Sequence, residues 1–402
     1  MKENALYIQS GGPTSVINAS AYGVIKACMQ NPNRIGRLYG VKHGVIGLIN
    51  DRLIDIYAMG EEEIELFPRT PSMIFGSCRY RIKDDSDYEK IKDVLEKHNI
   101  RYIFYNGGNG TVRACKVMKK YLESVNYRCQ MIVIPKTVDN DISCIDHAPG
   151  FPSAARHVIM SISELAHDLR TYDTDLITTV EVMGRNTGFL AASCILAARE
   201  GNGPDLIYIP EVVFEPEKFI GDIRRIYEKK GKCFVVVAEG VKTREGKYLF
   251  EMSDNWREDN PQLNMGGISN YLHRLLQKHF DCKIRCIDLG LMQRCAVHDA
   301  SEVDIEEAIA VGKEAVNAAL NGADGMMISI SRVSNFPYAM EFEQVSIDEV
   351  VKEDATLPLS YLNEDKNYIR SEFLDYIEPL VGELPSYAKL KRAKEELTER
   401  NT

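Results

Sequence analysis

The segment from Pro135 to Asp141 carries the side chains best suited to chemistry. It reads Pro-Lys-Thr-Val-Asp-Asn-Asp and follows the apolar run 131–134. Lys136 could hold a phosphate group, and of the acids Asp139 and Asp141 one could accept a proton from an alcohol while the other held Mg²⁺. These groups suit transfer of a phosphoryl group to a sugar hydroxyl. The alternative interpretation is a polar loop without chemistry.

Two glycine-containing turns could bind phosphate. Residues 10–15 read Ser-Gly-Gly-Pro-Thr-Ser, and residues 106–111 read Asn-Gly-Gly-Asn-Gly-Thr. Each turn lies between a predicted strand and a predicted helix, where free N–H groups and a glycine backbone can approach an anion. A tight turn explains either one alone about as well. Two such turns in one domain favour a phosphate site.

Further polar residues follow other predicted strands. Met183-Gly184-Arg185 places a guanidinium suited to a sugar phosphate, and Glu239 could accept hydrogen bonds from sugar hydroxyls. Arg285 and Arg294 lie within and after the strand predicted at 283–289. For either of these two arginines, a surface ion pair is the alternative interpretation.

Strands alternate with helices along the chain. Strands are predicted at 5–8, 102–105, 131–134, 176–182, 206–209, 234–238, 283–289 and 325–331, and helices at 16–29, 112–122, 153–169, 187–199, 216–230, 269–279, 305–320 and 388–400. This alternation predicts an α/β fold with largely parallel sheets and helices on both faces. The carboxyl ends of parallel strands share one edge, where ligands bind. The last of these helices is charged and predicted to be solvated, with partner binding as the alternative.

Composition indicates a soluble enzyme. The 402 residues suffice for two domains, and the formal charge of −10 makes a large surface for nucleic acid unfavourable. No apolar run approaches the ~20 residues of a membrane span. Ten scattered cysteines without a CxxC pair indicate free thiols. Because a predicted strand begins almost at once, without a signal peptide, we expect a cytoplasmic protein.

In order and spacing, these motifs resemble those of the phosphofructokinases. The resemblance rests on residues 137–141, 183–185, the loop 107–111 and Gln293-Arg294, and it extends from about residue 5 to 330. It implies two Rossmann-like domains and phosphorylation of the 1-hydroxyl of fructose 6-phosphate with Mg²⁺, in a homodimer or homotetramer. The donor domain would be 1–140 with part of 290–402, and the sugar-phosphate domain 141–290.

The resemblance also implies roles for single residues. Asp139 would accept the proton, while Lys136 and Arg79 would stabilise the moving phosphoryl group. The sugar-phosphate site would comprise Thr137, Val138, Asp139, Met183, Gly184, Arg185, Glu239 and Arg294, with Arg285 supplied by a neighbouring subunit. The donor site would comprise Gly11, Gly12, Gly108, Gly110 and Thr111, with Asn109 and Asp141 near Mg²⁺.

Signals for the phosphoryl donor disagree. Segments 10–14 and 76–79, together with Lys136, look most like the pyrophosphate-using branch. Gly110 instead stands where pyrophosphate users typically have Asp, and Gly is typical of ATP users. Val16 replaces a loop glycine of many ATP enzymes, and its larger side chain should narrow the space available to a nucleotide. We therefore predict pyrophosphate as the donor, with ATP as the alternative.

Two departures bear on the acceptor. Leu291 stands where relatives usually have His or Tyr on the substrate phosphate, and Leu176 falls about where some carry a second cross-subunit Arg. Another sugar phosphate, such as sedoheptulose 7-phosphate, is therefore an alternative acceptor. A non-catalytic sugar-phosphate-sensing subunit is a further alternative. Asp139, Lys136 and Arg185 together argue against it, because a binding module needs no base.

Overall fold

The computed structural model describes residues 2–82, 84–199, 201–252 and 267–388. Its strands are β1 Glu3–Gln9, β2 Ile35–Val41, β3 Leu53–Asp55, β4 Ile100–Gly107, β5 Gln130–Pro135, β6 Leu176–Val182, β7 Leu206–Tyr208, β8 Lys232–Ala238, β9 Lys283–Asp288, β10 Met326–Ser334 and β11 Ala339–Ser346. Its helices are α1 Ile17–Gln30, α2 Gly44–Ile49, α3 Glu61–Glu65, α4 Asp85–Lys97, α5 Asn109–Ser124, α6 Phe151–Thr171, α7 Phe189–Ser193, α8 Ile195–Arg199, α9 Pro216–Lys230, α10 Ile268–Gln277, α11 Glu302–Leu320, α12 Ile347–Val350 and α13 Leu374–Val381.

Seven strands form the first sheet, in the order β11-β10-β5-β4-β1-β2-β3. The five inner strands pair in parallel, and the edge strands β3 and β11 pair antiparallel. Along β1, Ala5 and Tyr7 pack into one buried cluster while Leu6 and Ile8 pack into another. Successive side chains of a strand point to opposite faces, so both faces of this sheet are covered, as parallel sheets require.

Four strands form the second sheet, in the order β7-β8-β6-β9, and all pair in parallel. Val180 and Val182 pack on one face, and Ile177 packs on the other. The two largely parallel sheets confirm the predicted α/β class.

Two glycines allow helices α1 and α11 to pack closely. A Cβ atom on Gly23 would lie 2.0 Å from the carbonyl oxygen of Ile309, and one on Gly312 would lie 2.2 Å from that of Ser20. A side chain at either position would separate the helices, at a cost of about 1–3 kcal/mol or more. This contact holds α1 in place and, with it, the glycine turn that precedes α1.

The observed elements agree with the predicted ones, with two kinds of difference. The helix predicted at 187–199 is two short helices, α7 and α8, and the elements β2, β3, β11, α2, α3, α4, α12 and α13 were not predicted. Residues 357–381 pack into the core of the second sheet, through buried side chains that include Leu357 and Phe373. The helix predicted at 388–400 lies outside the described residues, apart from its first position.

Two sequence expectations concern covalent and membrane structure. All ten cysteines are free, as predicted. Within the described ranges, no helix is both long and apolar enough to span a bilayer.

Candidate active site

A cleft of about 260 Å³ lies where loops from the two sheets meet. Its walls come from the turn after β1, the loop after β5, and the residues that end or follow β6, β8 and β9. These are carboxyl ends of parallel strands, the edge at which the sequence predicted a site. The predicted residues that line the cleft are Gly12, Lys136, Thr137, Val138, Asp139, Met183, Arg185, Glu239 and Arg294.

Lys136 lies directly beneath the first glycine turn. Its side chain is buried, and Nζ donates a hydrogen bond to the carbonyl oxygen of Gly12 over 2.6 Å. A Cβ on Gly11 would lie 3.3 Å from this Nζ, and Gly11 has φ of +80°, so a larger residue would be both crowded and strained. Burial lowers the pKa of Lys136 to about 8, although Asp141 and Asp139 act in the opposite direction. The ammonium group is thus a poorly solvated charge held at the turn.

Asp139 has the properties of a base that works near neutral pH. Desolvation raises its pKa to about 7, and the negative charge of Asp141 acts in the same direction. Its backbone N–H donates to Oγ1 of Thr137 over 3.1 Å, which stabilises the turn of the loop. A carboxyl group with such a pKa can accept a proton and release it again at physiological pH.

Asp141 lies beside the first turn of helix α5. Nδ2 of the buried Asn109 donates to the Asp141 carbonyl oxygen over 2.7 Å, and the N–H of Ala355 donates to the same oxygen over 2.9 Å. Burial raises the pKa of the Asp141 carboxyl. The first residue of α5 therefore brings its side-chain amide to the backbone of the second acid in the Asp-Asn-Asp run.

The second glycine turn lies next to the same loop. A Cβ on Gly108 would lie 3.3 Å from the carbonyl oxygen of Lys136, whereas a Cβ on Gly110 would have no atom within 4 Å. Thr111 is buried, and its N–H donates to the carbonyl oxygen of Gly108 over 2.8 Å. The position of Gly110 thus has open space on its side-chain face.

The wall of the cleft that follows β6 and β8 is built from tightly packed turns. A Cβ on Gly240 would lie 2.0 Å from the carbonyl oxygen of Arg185, and Gly184 has φ of +125°. The Arg185 guanidinium lies 5.6 Å from the ring centroid of Tyr248. Burial raises the pKa of Glu239 to about 7, helped by the charges of Asp139 and Glu181. A cation and a weakly acidic carboxyl therefore face the same space.

Arg294 connects the two sides of the cleft. Its Nη1 would be 3.4 Å from a Cβ on Gly12, which places a residue that follows β9 against the first glycine turn. Gln293 holds this segment, because Oε1 accepts from the N–H of Met183 over 2.8 Å and Nε2 donates to the carbonyl oxygen of Gly290 over 3.0 Å. The segment 290–294 is thereby attached to the end of β6.

The predicted arginines Arg79 and Arg285 do not line the cleft. Arg79 is exposed, although its neighbour Ser77 donates to the carbonyl oxygen of Gly11 over 2.8 Å and so places the 76–79 segment beside the turn. Arg285 forms an ion pair with Asp168 over 2.7 Å. Arg285 thus forms an ion pair, which was the alternative interpretation of this residue in the sequence analysis.

Two acidic residues that line the cleft were not predicted from the sequence. Glu181 and Asp288 line the cleft, and each lies at or next to the end of its strand, which is the signal that could have revealed them. Glu181 accepts hydrogen bonds from the N–H groups of Gly267 and Ser269, each over 3.0 Å. Glu181 therefore holds the start of helix α10 next to the wall of the cleft that follows β6.

The sequence model of the family described as Phosphofructokinase matches residues 4–319, most of the chain. The chain belongs to the phosphofructokinase family. It is 35% identical over 411 aligned positions to a Halomonas elongata protein named pyrophosphate–fructose 6-phosphate 1-phosphotransferase, with 98% of each chain covered. It is 33% identical over 372 positions to a protein of Alkalicoccus urumqiensis named sulfofructose kinase, covering 92% of this chain and 94% of that one. A crystal structure of pyrophosphate-dependent phosphofructokinase from Nitrosospira multiformis matches with a TM-score of 0.86 at 32% identity, covering 98% of this chain and 96% of that one.

Leu291 gives the cleft an apolar wall. Its side chain lines the cleft and is 62% exposed. Leu176 is buried at the first position of β6, at the opposite end of the strand from the cleft. Neither residue can supply a hydrogen bond to a substrate phosphate.

Proposed function

We propose that this phosphofructokinase transfers a phosphoryl group from pyrophosphate to the 1-hydroxyl of fructose 6-phosphate. One observation carries the proposal: Lys136 is buried beneath the Gly11–Gly12 turn, and Asp139 lines the same cleft. A fixed cation for the donor and a base for the acceptor are the two groups that this reaction requires. A sensor subunit without catalysis would need neither of them in this arrangement.

Pyrophosphate fits the donor side for a steric and electrostatic reason. The ammonium of Lys136 would lie where the second phosphate of pyrophosphate is held, and an ATP molecule would have to bring its α-phosphate ester past this group. ATP remains the second candidate because the side-chain face of Gly110 has open space. The choice of donor thus depends on whether the charge of Lys136 or the open space beside Gly110 has the larger effect on donor binding.

The other residues of the site would have separate roles in proton transfer and in binding of the sugar phosphate. Asp139 would accept the hydroxyl proton as the new bond forms, while Arg185, Arg294, Glu239 and Met183 would hold the sugar phosphate. We assign the donor to residues 1–140 with part of 290–402, and the sugar phosphate to 141–290. Arg294 supports a cleft shared between the two, because it reaches the turn at Gly12.

Asn109 and Asp141 are the residues that would hold Mg²⁺. The chemistry of this site fits the ion, because Asp141 is a desolvated carboxylate whose raised pKa reflects poorly compensated negative charge. Among the described residues, no group of three or more His, Cys, Asp or Glu could hold a metal. Mg²⁺ commonly takes only one or two carboxylates and completes its shell with water and substrate phosphates. When bound, it would neutralise charge on the donor phosphates.

We further propose a homodimer or homotetramer acting in cytoplasmic glycolysis or gluconeogenesis. Arg285 would reach the sugar phosphate of a neighbouring subunit, as the family resemblance implies. In that assembly its ion pair with Asp168 would have to open or be shared. Because pyrophosphate and the sugar phosphoester have similar transfer energies, the reaction would run in both directions.

Parallel initial-rate assays test the proposal. The purified protein is given fructose 6-phosphate, Mg²⁺ and either pyrophosphate or ATP, and fructose 1,6-bisphosphate is measured; the reverse reaction starts from fructose 1,6-bisphosphate and phosphate. We expect turnover with pyrophosphate in both directions. Efficient use of ATP with none of pyrophosphate would establish the second candidate, and no product with either donor would favour the sensor. Sulfofructose and sedoheptulose 7-phosphate in place of fructose 6-phosphate test the acceptor.

A further inference from the structure

Asn140, between the two acids of the loop, has an unusual backbone and a side chain that forms hydrogen bonds through both of its polar atoms. Its φ is +58°, in the left-handed region that non-glycine residues seldom adopt. The side chain is buried. Oδ1 accepts from the N–H of Ala148 over 2.9 Å, and Nδ2 donates to the hydroxyl oxygen of Tyr376 over 2.9 Å. The amide thus connects the loop to Ala148, eight residues further along the chain, and to Tyr376, 236 residues further along.

The hydroxyl of Tyr376 is held at both of its hydrogen-bonding positions. It accepts from Asn140 and donates to the carbonyl oxygen of Asp146 over 2.9 Å. The ring is immobilised as well, because its centroid lies 5.4 Å from that of Phe373 and the guanidinium of Arg332 lies 4.6 Å from it. Tyr376 is therefore a rigid anchor for the Asn140 amide.

The anchor lies on an element that sequence patterns did not associate with the site. Tyr376 belongs to helix α13, beyond residue 319, where the match to the family's sequence model ends. Helix α13 packs into the core of the second sheet through Ile377 and Leu380. The loop that follows β5 in the first sheet is thus attached to the core of the second.

We propose that Tyr376 is a positioning residue of the phosphoryl transfer, acting through Asn140. This inference rests on the proposed function. The left-handed backbone at Asn140 determines how Asp139 and Asp141, on its two sides, are directed. The hydrogen bond from Asn140 to Tyr376 holds that backbone in place. A displacement of about 1 Å in a reacting group can reduce a rate by about 10²-fold, so loosening this bond should lower kcat.

Removal of the hydroxyl should affect turnover more than substrate binding. Tyr376→Phe keeps the ring against Phe373 and Arg332 and removes only the bonds to Asn140 and Asp146. We expect kcat to fall by about tenfold or more while both KM values stay within about threefold, because the binding arginines are untouched. A merely structural role would instead lower the melting temperature and leave kcat per folded molecule unchanged.

A second variant removes the side-chain hydrogen bond of Asn140 but still allows the left-handed backbone conformation. Asn140→Gly adopts a positive φ without strain and lacks the amide. We expect it to lose kcat to a similar extent as Tyr376→Phe. The double variant should lose less kcat than the product of the two single losses, because both changes break the bond between Asn140 and Tyr376 and each also breaks one other bond. Tyr361→Phe is the matched control: its ring also packs against Phe373, and its hydroxyl shares no hydrogen bond with residues 137–141 in the described structure.

All variants are compared with the wild type on whichever donor the wild type uses, so an incorrect donor assignment leaves the comparison intact. Normal kcat in both Tyr376→Phe and Asn140→Gly would overturn the positioning role alone. Losses that multiply in the double variant would also overturn it. A wild-type protein inactive with both donors would overturn the proposed function and the positioning role together.

Discussion

Replacement of Lys136 by methionine isolates the charge beneath the first glycine turn. Methionine has a similar volume, so the buried position stays filled. The change removes the positive charge, which the proposed function assigns to the pyrophosphate, together with the hydrogen bond from Nζ to the carbonyl oxygen of Gly12.

The size of the effect follows from the charge and from its pKa. A charged hydrogen bond to a buried anion contributes about 1.5–3 kcal/mol, so kcat/KM for pyrophosphate should fall by about 10–150-fold at pH 7. Burial places the pKa of Lys136 at about 8. The charged fraction therefore falls from about 0.9 at pH 7 to about 0.1 at pH 9, and the advantage of the wild type should fall about five- to ninefold over that range.

The assay measures initial rates of fructose 1,6-bisphosphate formation at saturating fructose 6-phosphate, with pyrophosphate varied and pH stepped from about 7 to about 9. The quantity reported is the ratio of wild-type to Lys136→Met kcat/KM at each pH. In this ratio the ionisation of pyrophosphate itself cancels. The melting temperature of the variant at pH 7 should equal or exceed that of the wild type, because a desolvated charge has been removed.

Two results would refute this reasoning. A ratio that stays constant from about pH 7 to about pH 9 would mean that Lys136 does not titrate in this range. A variant with wild-type kcat/KM at pH 7 would mean that its charge does not stabilise the donor.

Three further predictions concern the base, the acceptor and the donor. Asp139→Ala should lower kcat by ~10²–10⁴-fold with modest change in substrate binding, and turnover within a few-fold of wild type would remove it from the role of base. Arg185→Ala should raise KM for the sugar phosphate much more than KM for the donor; equal changes in the two constants would contradict that assignment. Gly110→Asp should suppress residual ATP use and leave pyrophosphate activity within about an order of magnitude, about 1.4 kcal/mol, and steady-state rates with each donor decide the matter.

The parts of the fold predicted from sequence are those whose pattern is local. Strand β6 has the predicted bounds Leu176–Val182, and helix α9 has the predicted bounds Pro216–Lys230, because a buried strand and an amphipathic helix each bury a recurring set of apolar side chains. The elements that were missed lack such a pattern. Strand β2 contains two glycines, and β11 alternates on a largely exposed edge, so pairing with a neighbour decides their structure.

Within the site, the sequence by itself determined which residue types follow each strand. The end of a buried strand must lie at the sheet edge, so Lys136, Asp139 and Arg185 could be placed there from local pattern alone. Only the tertiary structure decided how elements distant in sequence meet. Arg294 reaches the turn at Gly12, and the hydroxyl of Tyr376 holds Asn140 across 236 positions of the chain. Such contacts depend on how two separately formed sheets and a carboxyl-terminal helix pack, and no periodicity within one segment encodes that packing.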